Sequence, residues 1–253
     1  MQAHCLRREG RKIPGTFAEA GVPVFAVNVP AVHRVVAIDG PAASGKSSVA
    51  RELAKQIGFD YVNSGAMYRA VTWHILQHAI SPGDGDAIAR LLETSRIDCD
   101  LDGDGSRISI DGVDPTAHLR DDRVNDEVSL VSSVPRVREI LVAKMRAYAS
   151  DRDIVMEGRD IGSVVFPKTP YKFYIDALPD VRVRRRIAQG QRDKIAARDQ
   201  ADSSRRGSPL VIAEDAHVID SSNLTIEGVV GEIIDRLKMK GMNIQLTNER
   251  IND

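Results

Sequence analysis

The sequence predicts an α/β fold of three layers, with a parallel central sheet between two layers of helices. Three observations carry that prediction. Short apolar, β-branched runs alternate with amphipathic helical runs along most of the 253 residues. The first apolar run, 34–38, leads into Gly40-Pro41-Ala42-Ala43-Ser44-Gly45-Lys46-Ser47, and a helical run over 47–57 follows. The polar residues able to do chemistry fall just after the apolar runs, where a parallel sheet opens its binding crevice.

Each element has its own signal. Residues 59–62 read as a second strand, and 64 to about 78 as a helix stopped by Pro82 and Gly83. Residues 86–95 fit a short helix. From 96 to 114 the pattern changes to alternation, Ile97-x-Cys99-x-Leu101 and Ile108-x-Ile110 around Gly103 and Gly105, which predicts a small β-rich insertion. Helical runs return over 124–133 and 137–149, with Pro135 between them and a stripe of Val137, Leu141, Met145 and Tyr148. Strands are expected at 154–156, 173–175 and 217–220, and helices at 181–187 and 226–238. The closing helix carries the stripe Ile226, Val229, Val230, Ile233, Ile234 and Leu237.

Composition narrows the function classes. The chain is 42% hydrophobic, enough for one substantial core. Its 35 basic and 36 acidic residues nearly cancel, so nothing marks a nucleic-acid polymer as partner. Cys5 and Cys99 are far apart and fit neither a disulfide framework nor a metal site. No stretch reaches a membrane span, and the charged beginning lacks an apolar signal core; the expectation is a cytoplasmic protein. Residues 1–33 read as a peripheral extension, 34–240 as the functional domain and 241–253 as a tail.

The loop carries the chemistry. Gly-x-x-x-x-Gly-Lys-Ser between strand and helix wraps phosphates with backbone N–H groups and a helix N-terminus. Gly40, Pro41, Ala42, Ala43, Ser44, Gly45, Lys46, Ser47 and Ser48 are therefore candidate ATP-binding residues. Lys46 can reach the β- and γ-phosphates, and Ser47 is placed to ligate Mg2+. The motif also serves ATPases, GTPases and motors, so by itself it leaves the acceptor open. The basic, polar stretch 190–209, with Arg192, Arg198, Arg205 and Arg206 among aspartates, reads as a lid over the phosphates, since guanidinium forks bind oxyanions.

Two patterns are decoys. Asp100-Leu101-Asp102-Gly103-Asp104-Gly105 begins like a calcium loop, but Arg107 and Asp111 break the match. His74 and His78 are four apart without supporting ligands, and read as helix-surface residues.

Three runs together resemble the bacterial cytidylate kinase family. They are 38–48, then Ser64-Gly65-Ala66-Met67-Tyr68-Arg69, then Glu157-Gly158-Arg159-Asp160-Ile161-Gly162-Ser163-Val164-Val165-Phe166-Pro167. The spacing of the runs also matches, and the resemblance spans roughly 34–238. It implies a P-loop NTPase fold with a lid and an enlarged monophosphate-binding region, about 64–150. It implies transfer of a phosphoryl group from ATP, with Mg2+, to CMP or dCMP by a monomer.

Carried over position by position, Ser64 and Asp160 belong to the cytosine-nucleotide site. Ser129, Arg138 and Asp160 match residues that recognise the base. Arg69 matches an arginine on the acceptor phosphate, and Asp202 a residue on the acceptor sugar. Arg198 and Arg205 match lid arginines on phosphates, and Arg159 one near the transferred phosphate. With Lys46, these last three are the expected catalytic residues. Ala201 departs from relatives that carry another arginine there, which leaves one fewer oxyanion donor. Cytosine offers an N4 amine to a carboxylate and N3 and O2 to an arginine, whereas uracil turns a carbonyl toward the carboxylate. Asp160 with Arg138 could therefore separate CMP from UMP. An acceptor phosphate is already anionic, so no general base is assigned. A kinase for UMP, AMP or an alcohol, and a module that holds ATP without turnover, are the competing readings.

Overall fold

The computed structural model describes residues 33–102, 105–188, 190, 195–204 and 210–247, with the backbone alone at 195–198. Almost all of the expected extension, parts of the expected lid and the end of the expected tail lie outside these residues.

The central sheet contains β1 (Val35–Asp39), β2 (Asp60–Asn63), β5 (Ile154–Gly158), β6 (Tyr171–Asp176) and β7 (His217–Asp220). Its order is β2-β5-β1-β6-β7 and every pairing is parallel. Parallel sheets need cover on both faces, and the side chains of β1 show how it is met. Val35 and Ala37 join one apolar cluster, Val36 and Ile38 the other, and all four are buried. The second cluster is closed by α1 (Lys46–Ile57) and α8 (Ile226–Met239), through Leu53, Ile57, Ile233 and Leu237. The first is closed by α2 (Ser64–Gln77), α3 (Gly85–Thr94), α4 (Asp122–Val131) and α5 (Pro135–Tyr148). Pro135 is the first residue of α5, a position that needs no N–H bond, so it starts this helix rather than breaking one.

The alternating stretch forms a hairpin of β3 (Ile97–Asp102) and β4 (Gly105–Ile110), paired antiparallel. It buries Ile97, Ile108 and Ile110 in the first cluster. Each such side chain contributes roughly 1.5–3 kcal/mol, so the hairpin is anchored by its apolar face. It also covers the β2 edge: the Asn63 N–H donates to Ser106 Oγ at 2.9 Å. Gly105 sits at φ +125°, and a Cβ there would lie 2.7 Å from the Tyr61 ring.

Two expectations are corrected. His74 is 4% exposed, with Nε2 2.8 Å from Ser95 Oγ and 3.6 Å from Asp111 Oδ2. Helix α2 is flanked by α4 and the hairpin, so it has less free surface than an amphipathic reading allows. Burial beside His78 pushes the His74 pKa down. The start of the expected tail is also bound to the domain. Met242 is buried, Ile244 and Leu246 pack on the second cluster, and Thr247 Oγ1 donates to the Lys55 carbonyl at 2.9 Å. Among the described residues, no helix is long and apolar enough to cross a membrane.

Candidate active site

The site lies beyond the carboxyl ends of β1, β2 and β5, in a cleft of about 520 Å3. Its floor is the loop between β1 and α1. Gly40 is required there, because a Cβ would sit 2.1 Å from the Ile175 carbonyl oxygen. Gly45 precedes α1 at φ 91°, offers no side-chain cap, and the first turn of α1 holds no acidic residue. The helix N-terminus is thus not capped by the side chain at its own N-cap position, which suits an anion. Lys46 is buried and its Nζ donates to the Pro41 carbonyl at 2.9 Å. Ala43 adopts the left-handed region at φ 59°. Of the nine candidate loop residues, Ala42, Ala43, Gly45, Lys46, Ser47 and Ser48 line the cleft, while Gly40, Pro41 and Ser44 shape the loop behind them.

Ser47 Oγ donates to Glu157 Oε1 at 2.8 Å, and the Tyr61 hydroxyl reaches the same oxygen at 3.4 Å. Glu157 is 3% exposed at the end of β5, one strand from the loop. Glu157 lies in the third motif without an expected role; an acid near the end of an apolar strand is the signal the sequence offers. A hydroxyl and a carboxylate at this point form an oxygen donor set suited to Mg2+.

The side of the cleft facing the loop is assembled from separated segments. Arg138, on α5, donates from Nη2 to Asp160 Oδ2, and both side chains are largely buried. The Arg138 guanidinium also lies 5.7 Å from the Tyr68 ring centroid. Ser129 Oγ donates to Asp202 Oδ1 at 2.9 Å, and Arg159 Nε donates to Asp202 Oδ2 at 2.9 Å. Asp202 belongs to α7 (Ile195–Ser203) and is 2% exposed. Ser64, the first residue of α2, is buried and spends its proton on the Glu157 carbonyl at 2.7 Å. Its oxygen remains an acceptor, not a donor, toward anything in the cleft. Arg69 lines the cleft one turn further along α2.

The fold thus brings Ser64, Arg69, Ser129, Asp160, Arg159 and Asp202 to one cleft, with Arg138 held behind Asp160. The Arg198 side chain and Arg205 lie outside the described residues. Arg120, Asn125 and Tyr68 also line the cleft without having been expected. Asp199 on α7, expected only as an acidic partner of the arginines in 190–209, instead accepts at Oδ1 from the Ala42 N–H at 3.2 Å and at its other oxygen from Arg182 of α6 (Pro179–Ala188). Asp39 is 5% exposed, and burial pushes its pKa up to about 7, against the pull of two backbone N–H groups.

Fold and cleft define a P-loop α/β protein, with a phosphate-wrapping loop facing a pocket of paired side chains. The family model for cytidylate kinase matches residues 36–239. A cytidylate kinase of Caldanaerobacter subterraneus is 41% identical over 214 residues, covering 80% of this chain and 94% of that protein. One of Mycobacterium avium is 42% identical over 218 residues, covering 81% and 96%. A third, of a Geobacillus species, is 40% identical over 227 residues, covering 85% and 97%. The chain belongs to the cytidylate kinase family.

Proposed function

We propose that the cleft seats ATP on the 40–48 loop and a cytosine nucleotide against Asp160 and Arg138. The reaction is transfer of the γ-phosphoryl group of ATP to CMP or dCMP, giving ADP and CDP or dCDP. The observation that carries the acceptor assignment is the buried Asp160, paired with Arg138 behind it, in the same cleft as the phosphate loop.

The uncapped first turn of α1 and Lys46 take the donor phosphates. Mg2+ would be held by Ser47, with Glu157 beside it, and would neutralise charge on the phosphates. The first turn of α2 and Arg69 take the acceptor phosphate. Asp160 accepts from the cytosine amine, while Arg138 holds that carboxylate oriented. Ser129 and Asp202 serve the acceptor base and sugar. Arg159 donates from Nε to Asp202 and from Nη1 to the Gly158 carbonyl at 3.5 Å, and a guanidinium has further N–H groups to offer the transferred phosphate. Arg198 and Arg205 add charge from the 190–209 lid as it closes. Alignment and charge stabilisation carry the step, without a side-chain base. The domain acts as a monomer.

The test is ADP formation from ATP and Mg2+ with CMP, dCMP, UMP or AMP as acceptor. Turnover with CMP and dCMP well above the other two is the expected result. Turnover confined to another acceptor would leave the phosphate loop in place and remove the cytosine assignment.

A further inference from the structure

Asp160 has two possible employments. It precedes a single π-helical turn, Ile161–Val165, and stands at the N-cap position of that turn. An aspartate at an N-cap ordinarily folds back and accepts from the first N–H groups of its own helix. Asp160 makes no such bond. The N–H groups of Ile161 and Gly162 donate instead to Asp39, at 2.8 Å to Oδ1 and 2.8 Å to Oδ2. Asp39 ends β1, 122 residues earlier in the chain, and reaches the turn because β1 lies beside β5 with Asp39 opposite Gly158.

We propose that Asp39 is a positioning residue for acceptor selection: by capping the 161–165 turn from another strand, it frees the Asp160 carboxylate for Arg138 and the acceptor base. The proposal rests on the cytosine-nucleotide reading of the site. The donor groups decide the geometry. Two adjacent buried N–H groups need acceptors, and the Asp39 carboxyl group brings one oxygen to each of them. An asparagine at 39 would turn an NH2 toward one of them. Asp160 stands at the N-cap position, from which a side chain accepts from the second or third N–H of its helix, and a carboxylate that turned to Gly162 would leave Arg138. Asp39 also directly precedes Gly40, so one residue connects the start of the phosphate loop to the base-reading aspartate.

The experiment is a cycle of wild type, Asp39→Asn, Asp160→Asn and the double variant, assayed with CMP and with UMP at saturating ATP. Asp39→Asn is expected to lower kcat/KM for CMP by about 10–100-fold, the size of one charged hydrogen bond lost. The loss should fall mainly on KM for CMP, with KM for ATP within about twofold, and should nearly vanish in the Asp160→Asn background. An equal loss in both backgrounds, or a loss confined to KM for ATP, overturns the proposal. Equal wild-type turnover of CMP and UMP overturns the acceptor reading and the proposal with it. If Asp39→Asn does not fold, amide hydrogen exchange on Asp160→Asn decides. Protection retained at Ile161 and Gly162 supports capping by Asp39, and protection lost there overturns it.

Discussion

The two halves of the cleft are built on different principles. The phosphate-loop half is one contiguous loop and the start of one helix, presenting backbone N–H groups, and distant residues such as Asp199 and Ser221 brace it from outside. The side-chain half draws Ser64, Ser129, Arg138, Asp160 and Asp202 from five separate stretches, and its side chains hold one another: Arg138 with Asp160, Arg159 and Ser129 with Asp202. A backbone cradle is indifferent to most side-chain changes outside its glycines, its lysine and its serine. A side-chain network fails when any one partner leaves, because the remaining buried charge is then uncompensated. On the proposed reading, the phosphate-loop half sets the reaction and the side-chain half sets the substrate.

The comparison is broken most directly at Lys46. Lys46→Ala should lower kcat by about 10²–10³-fold, the cost of one electrostatic donor to the transferring group, and by the same factor for every acceptor. ADP release with CMP and UMP in parallel measures this; a loss confined to one acceptor would erase the distinction between the halves. Asp160→Ala comes next. It should cost about 10²-fold in kcat/KM for CMP with much less change for UMP, by analogy with sites whose buried polar groups lose their partner. Loss of about 3–5 kcal/mol in stability from the abandoned Arg138 should accompany it, read by denaturant unfolding.

The boundary between the halves is sharpened at Glu157, which ends the β5 strand shared by both. Glu157→Gln should raise the Mg2+ concentration for half-maximal rate by about 10–100-fold, the usual scale for a residue beside a metal site. A magnesium titration at fixed CMP checks it, and an unchanged titration midpoint would assign Glu157 to packing. The smallest effect belongs to Ala43. Its left-handed backbone at φ 59° is strained for any residue with a Cβ, so Ala43→Gly should stabilise the protein by about 0.5–1 kcal/mol, visible as a raised melting temperature. A lowered melting temperature would show that the loop is not strained there.

Legibility followed the same division. The strand, loop and helix of the phosphate-loop half were readable because the signals are local: a β-branched run, glycines at fixed offsets, then a helical period. The hairpin was readable from alternation around Gly103 and Gly105. His74 was misread because its burial depends on the hairpin and α4 covering α2 from outside its own sequence window. Met242, Ile244 and Leu246 were read as tail although they alternate, because three apolar residues are a weak signal and the cluster that buries them is built by distant elements such as α1 and α8. The acceptor residues came from resemblance to a family, since no spacing rule connects Ser129 to Asp202 or Arg138 to Asp160.

By itself the sequence determined the fold class, the phosphate loop with Lys46 and Ser47, and, through its three motifs, the family. Those properties are written in contiguous residues, and contiguous residues fix their own backbone. Only the tertiary structure decided that Ser47 meets Glu157, that Asp199 sits on the Ala42 N–H, and that Asp39 caps the turn after Asp160. Each of those contacts joins residues 110 or more positions apart. They exist because a parallel sheet sets strand ends side by side in an order, β2-β5-β1-β6-β7, that differs from their order in the chain.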